Sequence, residues 1–122
     1  MVRGKCLVML VFTVLIGMEV NAATGKVKSA TITTLLVDQA DFGGCMVELS
    51  VDPQSILPGC SSDWVTLDCL AVFPESTKSI AQTKLSQAQI AFVANRRVRV
   101  YLTDARKANG YCLATRIDVF GS

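Results

Sequence analysis

Alternating apolar and polar residues predict five β-strands along this chain of 122 residues. In the second strand, Cys45, Val47 and Leu49 fall on one face, while Met46 and Glu48 fall on the other. A period of two, combined with many β-branched residues, is typical of half-buried antiparallel strands. The five predicted strands cover residues 29–37, 45–51, 64–73, 97–103 and 111–120.

One segment follows a helical period instead. Between residues 78 and 95, apolar residues recur at spacings of four, three and four, which predicts one buried stripe on a helix. Ser76 or Ser79 is the expected N-cap, and Asn95 the expected end of the helix. The predicted stripe consists of Ala81, Leu85, Ala88 and Phe92.

The order of elements is therefore β-β-β-α-β-β, which makes the protein mainly β with one helix. Five strands with a helix between the third and fourth is the layout of the five-stranded Greek-key barrel called the OB-fold. The fold class predicted here is thus a five-stranded OB-fold-like β-barrel. The alternative is an open antiparallel sheet with the helix packed on one face.

The N-terminal segment reads as a secretory signal peptide. Arg3 and Lys5 precede an apolar run over residues 6–18, and residues 20–22 (Val-Asn-Ala) carry suitable residues where a signal peptidase reads. A membrane anchor is the alternative, but the run is shorter than the roughly 20 residues that span a bilayer. We therefore expect cleavage before Ala23, export to the periplasm or medium, and no membrane contact afterwards.

The remaining residues, 23–122, are expected to form a single disulfide-stapled domain. The whole chain has 12 basic and 10 acidic residues. Without Arg3, Lys5 and Glu19 the counts are 10 and 9, so the net charge is +1. A nearly neutral domain with few exposed aromatic residues is a poor nucleic-acid binder, so no nucleic-acid partner is expected.

Four cysteines remain after the signal is removed, which is an even number in an exported chain. This arithmetic predicts two disulfides in an oxidising compartment. A four-cysteine zinc site is the rival interpretation, although no Cys-x-x-Cys pair occurs. The four residues are Cys45, Cys60, Cys69 and Cys112.

The faces of the strands favour one pairing among the three that four cysteines allow. A hairpin register that pairs Val51 with Asp63 puts Cys45 opposite Cys69, within disulfide reach. The other two cysteines, one in a loop and one on the mixed face of the last strand, then form Cys60–Cys112. In the alternative, Cys45 and Cys69 stay reduced as small buried residues.

The composition argues against an enzyme. The sequence has no histidine, which removes the usual general base and the commonest metal ligand. The acidic residues are scattered and mostly lie at predicted turns, where aspartate usually bonds its own backbone. A carboxylate-dependent enzyme is the remaining catalytic alternative. We expect no enzymatic activity, no cofactor and no metal.

One group of residues stands out as a candidate binding surface. Basic and hydrogen-bonding side chains share the outward face of the last two strands and their loop, which suits an anionic sugar or an acidic protein patch. The alternative is a solvated face whose arginines pair with Asp68, Asp104 or Asp118. Trp64 either stacks on a sugar or covers the end of the barrel. The candidates are Arg97, Arg99, Tyr101, Asn109, Arg116 and Trp64.

Several of these features resemble small exported bacterial OB-fold proteins, among them the cell-binding B subunits of pentameric toxins such as subtilase cytotoxin and the pertussis-like toxins. The resemblance rests on the signal peptide, the helix over residues 81–95, and three short runs. It implies sugar binding on the side of the barrel and assembly into a ring of identical subunits. The three runs are Pro58-Gly59-Cys60, Val98-Arg99-Val100 and Tyr111-Cys112.

The sequence therefore predicts an exported, non-catalytic binding module that recognises a glycan or a protein partner and forms a homo-oligomer. The alternative is a structural or accessory envelope protein with no small ligand.

Overall fold

The computed structural model describes residues 22–121, so the predicted signal peptide lies, apart from Ala22, outside the described residues. The domain is mainly β, with six strands, two 3-10 turns and one long helix. The elements in chain order are β1 (Thr24–Ala30), β2 (Ile32–Val37), the 3-10 turn Phe42–Gly44, β3 (Cys45–Leu49), the 3-10 turn Pro53–Ser55, β4 (Trp64–Thr66), α1 (Lys78–Val93), β5 (Val98–Ala108) and β6 (Tyr111–Val119).

All six strands form one open, mixed sheet in the order β1-β5-β6-β4-β3-β2. Neighbouring strands are antiparallel except β4 and β6, which run parallel where Thr66 pairs with Leu113. Within residues 22–121 no ladder joins the edge strands β1 and β2, so the predicted closed five-stranded barrel is wrong. The predicted open sheet is nearer, but it was expected to be purely antiparallel.

The extra strand arises because the predicted first strand, residues 29–37, breaks at Thr31. The Thr31 N–H donates to Ser50 Oγ at 2.8 Å, and its carbonyl accepts from the Ser50 N–H at 2.9 Å. The register shifts on both sides of this residue. The chain therefore turns at Thr31, and its two halves pair with different neighbours, β1 with β5 and β2 with β3.

The predicted third strand, residues 64–73, ends at Thr66 because Asp68 folds the chain back. Asp68 and Ala71 have φ angles of +56° and +53°, which an extended strand does not allow. The Asp68 carboxylate is fully buried and accepts the N–H groups of Val72 at 2.8 Å and Phe73 at 3.0 Å. These bonds satisfy backbone groups that a strand would otherwise have paired in a ladder.

Both disulfides that the sequence predicts are formed, Cys45–Cys69 and Cys60–Cys112. All four thiols are thereby used, which excludes the zinc alternative and the reduced pair. The predicted register is wrong by two residues, because Val47 pairs with Val65 and Cys45 therefore faces Leu67. The turn at Asp68 brings the Cα of Cys69 within 5.5 Å of that of Cys45. Two disulfides indicate an oxidising compartment, extracellular or periplasmic.

The helix packs on the sheet partly through the predicted stripe, because Ala81 and Ala88 are buried and Leu85 packs on the core, but Lys84 and Ala91 take the place expected for Phe92. Its buried residues are spaced by three, four and three, whereas Phe92 is 43% exposed. Thr77, rather than either predicted serine, caps the first turn by accepting the Ile80 N–H at 3.1 Å. Small residues let the helix lie close to the sheet, and the larger Phe92 is left at the rim. The buried residues are Ala81, Lys84, Ala88 and Ala91.

Strand β6 also departs from its predicted faces. Tyr101 pairs with Arg116 and Leu102 with Ala114, so Thr115 is an extra residue that forms a bulge. Cys112 and Ala114 consequently join the core before the bulge and Ile117 after it. Cys112 was expected on the mixed outer face, and this prediction is wrong because a bulge reverses the alternation.

We expect removal of either disulfide to destabilise the domain by about 2–4 kcal/mol, with unequal effects. Cys60–Cys112 spans 52 residues and Cys45–Cys69 spans 24. On loop-closure grounds, the Cys60→Ser/Cys112→Ser variant should lose about 0.7 kcal/mol more than Cys45→Ser/Cys69→Ser. Urea unfolding of both variants and wild type measures the difference, and the reverse order would contradict this interpretation.

We also expect Asp68→Asn to lower the free energy of unfolding by about 1–3 kcal/mol, because Val72 and Phe73 donate to different carboxylate oxygens and one of these becomes an NH2 group, which cannot accept. Asparagine tolerates positive φ as aspartate does, so the backbone cost is matched. Asp63→Asn is the control, since Asp63 also has positive φ (+71°) but is exposed. Urea unfolding should show a change within about 0.5 kcal/mol for the control. Equal losses in the two variants would contradict a special role for Asp68.

Candidate functional site

The outward face of β1, β5 and β6 gathers an aromatic ring and two cations. Tyr101 on the middle strand pairs with Lys26 on β1 and with Arg116 on β6. The ring centroid lies 5.9 Å from Lys26 Nζ and 4.8 Å from Arg116 Cζ. Because paired residues project to the same face of a sheet, the Tyr101 ring lies between two positive charges.

The next row of the sheet explains why these side chains point outward. Val27, Val100 and Ile117 pair across the same three strands and are all buried in the core. Successive side chains on a strand alternate between faces, so burial of this row directs the Tyr101 row to solvent. Core packing thus fixes the position of the surface group.

A groove of about 440 Å³ opens beside the Tyr101 ring, which we call the Tyr101 groove. Its volume lies within the range of roughly 300–1,000 Å³ typical of small-molecule sites. Thr24 and Thr115 add hydroxyl groups to its lining, and the Thr115 hydroxyl donates to the Tyr101 carbonyl at 3.4 Å. The lining residues are Thr24, Gly25, Lys26, Tyr101, Leu102 and Thr115.

Asp118 binds the two arginines beside the groove, Arg99 and Arg116. Its carboxylate accepts from Arg116 Nε at 2.7 Å and lies 3.7 Å from Arg99 Nη1. The hydrogen bond to Asp118 raises the pKa of Arg116 above its usual value. Arg99 also stacks on the Phe120 ring at 5.1 Å, and its Nε is buried with no partner within residues 22–121. Among the described residues, no carboxylate lies within ion-pair distance of Lys26.

The expected arginine partners are only partly correct. Of the three aspartates proposed, Asp118 is the one that pairs with arginines among residues 22–121. Asp68 instead binds backbone N–H groups, and Asp104 binds the N–H of Ala23 at 2.7 Å. Arg106 pairs with Glu75 at 2.7 Å, a contact that lowers the pKa of the Glu75 carboxyl.

The structure brings together three of the six candidate residues, Arg99, Tyr101 and Arg116. Arg97 precedes β5 and donates to the Ser29 hydroxyl and carbonyl at the end of β1. Asn109 lies at the tip of the β5–β6 hairpin, where its side chain accepts the Phe42 N–H at 3.3 Å.

The remaining candidate, Trp64, lies on β4, where it pairs with Glu48 on β3. Strand β6 separates β4 from β5 in the sheet. This position tests neither of the two roles predicted for Trp64, which are stacking on a sugar and covering the end of a barrel. Trp64 is therefore not part of the cluster around Tyr101.

Sequence reasoning missed Lys26 and Thr24 because it began the first strand at residue 29. A signal was present, since Lys26 and Lys28 alternate with the buried Val27. Thr115 was missed for a different reason, because strict alternation along the last strand would place it on the same apolar face as Leu113 and Ile117. The bulge turns it outward, and no feature of the sequence marks that bulge.

A second, smaller cavity of about 230 Å³ lies under the helix and is bordered by Lys84. This lysine is only 8% exposed, and its ammonium donates to the Ala114 carbonyl beside the bulge at 2.9 Å. Burial lowers the pKa of Lys84, and the negative charge of Asp68 opposes part of that shift. The contact gives the buried ammonium a hydrogen-bond acceptor.

We expect the stability of wild type relative to Lys84→Met to rise with pH. The pKa of Lys84 is lower in the folded state than its ordinary value of 10.5. Between the folded and ordinary pKa values the unfolded chain binds more protons, so this group adds stability as pH rises. Urea unfolding of both proteins at pH 7 and pH 9.5 measures the change in their difference.

Lys78→Met is the matched control, because it removes an exposed ammonium at the first residue of the same helix. A wild-type advantage that stays constant over this pH range, or that changes equally in both variants, would contradict the effect of burial at Lys84.

The outer side of the helix carries an uncharged, apolar patch. Ile90 is 62% and Val93 is 83% exposed, and Ser86, Gln89 and Ala94 lie beside them. Exposed apolar groups that cluster together, rather than occurring singly, often mark an interaction surface.

The described residues contain no group of three or more acidic, histidine or cysteine side chains placed to hold a metal ion. No helix within residues 22–121 has the length and apolar character needed to cross a membrane. The chain matches no protein family, no curated protein and no solved structure, so the resemblance to toxin B subunits stays a prediction.

Proposed function

We propose that this protein is an exported, non-catalytic binding module that recognises a carboxylate-bearing glycan in the Tyr101 groove. The observation that carries the proposal is the placement of the Tyr101 ring between Lys26 and Arg116. An aromatic face packs against the apolar side of a sugar ring, and flanking cations attract its carboxylate. Thr24 and Thr115 supply hydroxyls for the sugar's own hydroxyl groups.

The charge pattern favours an anionic ligand over a neutral one. Arg116 shares its charge with Asp118, whereas Lys26 has no ion-pair partner in the described part of the chain. Lys26 is also exposed, so a ligand reaches it without a rearrangement. Lys26 is therefore the group that we expect to bind the ligand's carboxylate.

The proposal also includes that the order of strands and helix in the sheet is that of an OB-fold. Two observations support it. Thr31 alone separates β1 from β2. When these two are counted as one strand, the helix lies between the third and fourth of five strands. Counted as one bent strand, β1 and β2 restore the β-β-β-α-β-β order. The two disulfides support export.

The second candidate is an accessory envelope protein with no small ligand, which binds other proteins or copies of itself. The double use of Asp118 favours it, because Arg99 and Arg116 are then already paired within the chain. The exposed Ile90 and Val93 support self-association, since this uncharged surface can be buried without desolvating a charge.

A glycan array with the disulfide-bonded protein tests the first candidate. We expect binding to acidic sugars, with at least about a tenfold loss of affinity (~1.4 kcal/mol) in Tyr101→Ala. Lys26→Gln should weaken binding to acidic sugars and reduce its salt dependence, while leaving any neutral sugar unaffected.

Lys78→Gln is the matched control, because it removes an exposed lysine outside the groove and should bind as wild type does. Absence of acidic-sugar binding, or binding that Tyr101→Ala leaves unchanged, would contradict the groove proposal and favour the accessory protein.

A further inference from the structure

The backbone of Ala23 is held at both of its polar atoms by a single residue. Its N–H donates to Asp104 Oδ1 at 2.7 Å, and its carbonyl accepts the Asp104 N–H at 3.1 Å. Ala22, the residue before it, is exposed and makes no hydrogen bond among the described residues. The ordered contacts of the domain thus begin at the nitrogen of Ala23.

The position of Asp104 explains why its carboxylate is available there. Strand β5 loses its register with β6 between Thr103 and Lys107, so Asp104 is free of that ladder. Its carboxylate lies against the Cys60 loop, where a Cβ added at Gly59 would come within 3.2 Å of Oδ2. Lys107 Nζ donates to the Gly59 carbonyl at 3.1 Å and holds the loop in place.

The sequence predicts that signal peptidase frees this same nitrogen of Ala23. Residues 20–22 (Val-Asn-Ala) follow the apolar run 6–18 and carry the residues that a signal peptidase reads. Hydrolysis of the Ala22–Ala23 peptide bond adds one water, leaving a carboxylate on Ala22 and an α-ammonium on Ala23. The new positive charge would then lie at hydrogen-bond distance from the Asp104 carboxylate.

We propose that Asp104 is the docking anion for the amino terminus that the expected cleavage of the Ala22–Ala23 bond creates. The precursor makes a neutral amide–carboxylate hydrogen bond, and the mature protein makes an ammonium–carboxylate bond. Both bonds have a charged acceptor, but the ammonium adds the Coulomb attraction between two opposite unit charges at this short distance. Cleavage therefore tightens the start of β1.

This contact reaches beyond the terminus. Thr24, the next residue, pairs with Thr103 and lines the Tyr101 groove, and Lys26 follows two residues later. On the other side, Asp104 packs on the loop that the Cys60–Cys112 disulfide ties to β6. Processing at Ala23 thus fixes an edge strand, a loop and one wall of the groove together.

The first measurement is the intact mass of the protein exported from cells that express the full chain. We expect a mass that begins at Ala23 and includes two disulfides. A mature terminus at any other residue would overturn the proposal.

The second measurement is a double-mutant cycle in thermal unfolding. Proteins that begin at Ala23 are compared with proteins that carry two added residues, glycine and serine, before Ala23. In wild type the extension should lower Tm by about 3 °C, because it converts the ammonium to an amide. In Asp104→Asn the extension should change Tm by less than half as much.

Asp41→Asn is the control, since it makes the same change at an exposed residue far along the chain from the terminus. The extension should lower its Tm as in wild type. Asp104→Ser serves in place of Asp104→Asn if the latter does not accumulate. An equal effect of the extension with and without the Asp104 carboxylate would overturn the proposal.

Discussion

The buried carboxylate of Asp68 is the interaction on which the rest of the sheet depends. It takes up two backbone N–H groups, from Val72 and Phe73, and so ends β4 after three residues. Without this turn the chain would continue along β3, and Cys69 would move away from Cys45. The buried carboxylate is costly to lose, since the two N–H groups that it accepts would be left unpaired.

The short β4 has consequences on the far side of the molecule. It leaves β6 to pair in parallel at Thr66 and Leu113, and the helix packs against β6 and β2. Lys84 then reaches the Ala114 carbonyl beside the bulge at Thr115. The bulge in turn sets which residues of β6 face outward, and so places Arg116 beside Tyr101. The packing of the core therefore decides which side chains form the candidate site.

Much of this arrangement could be predicted from periodicity, and the failures have physical causes. Alternation located β3, β5 and β6, and a helical period located the helix, because the buried faces of these elements follow a regular period. It could not locate the break at Thr31 or the turn at Asp68, which depend on side-chain bonds to distant backbone groups. A bulge at one residue reversed half of β6, and a register error of two residues still gave the correct disulfides. At the site, Tyr101 and its arginines were found, while Lys26 lay before the predicted first strand.

The break between β1 and β2 at Thr31 also affects the tendency of the protein to aggregate at high concentration. Because β1 and β2 are the two edges of the sheet, each exposes unpaired backbone groups that could template a strand from another molecule. Lys26 and Lys28 place charges along β1, which opposes such edge-to-edge pairing. The β2 edge ends instead in the well-exposed Val37. Aggregation, where it occurs, should therefore start from β2, and a lysine at position 37 would be the simplest way to suppress it.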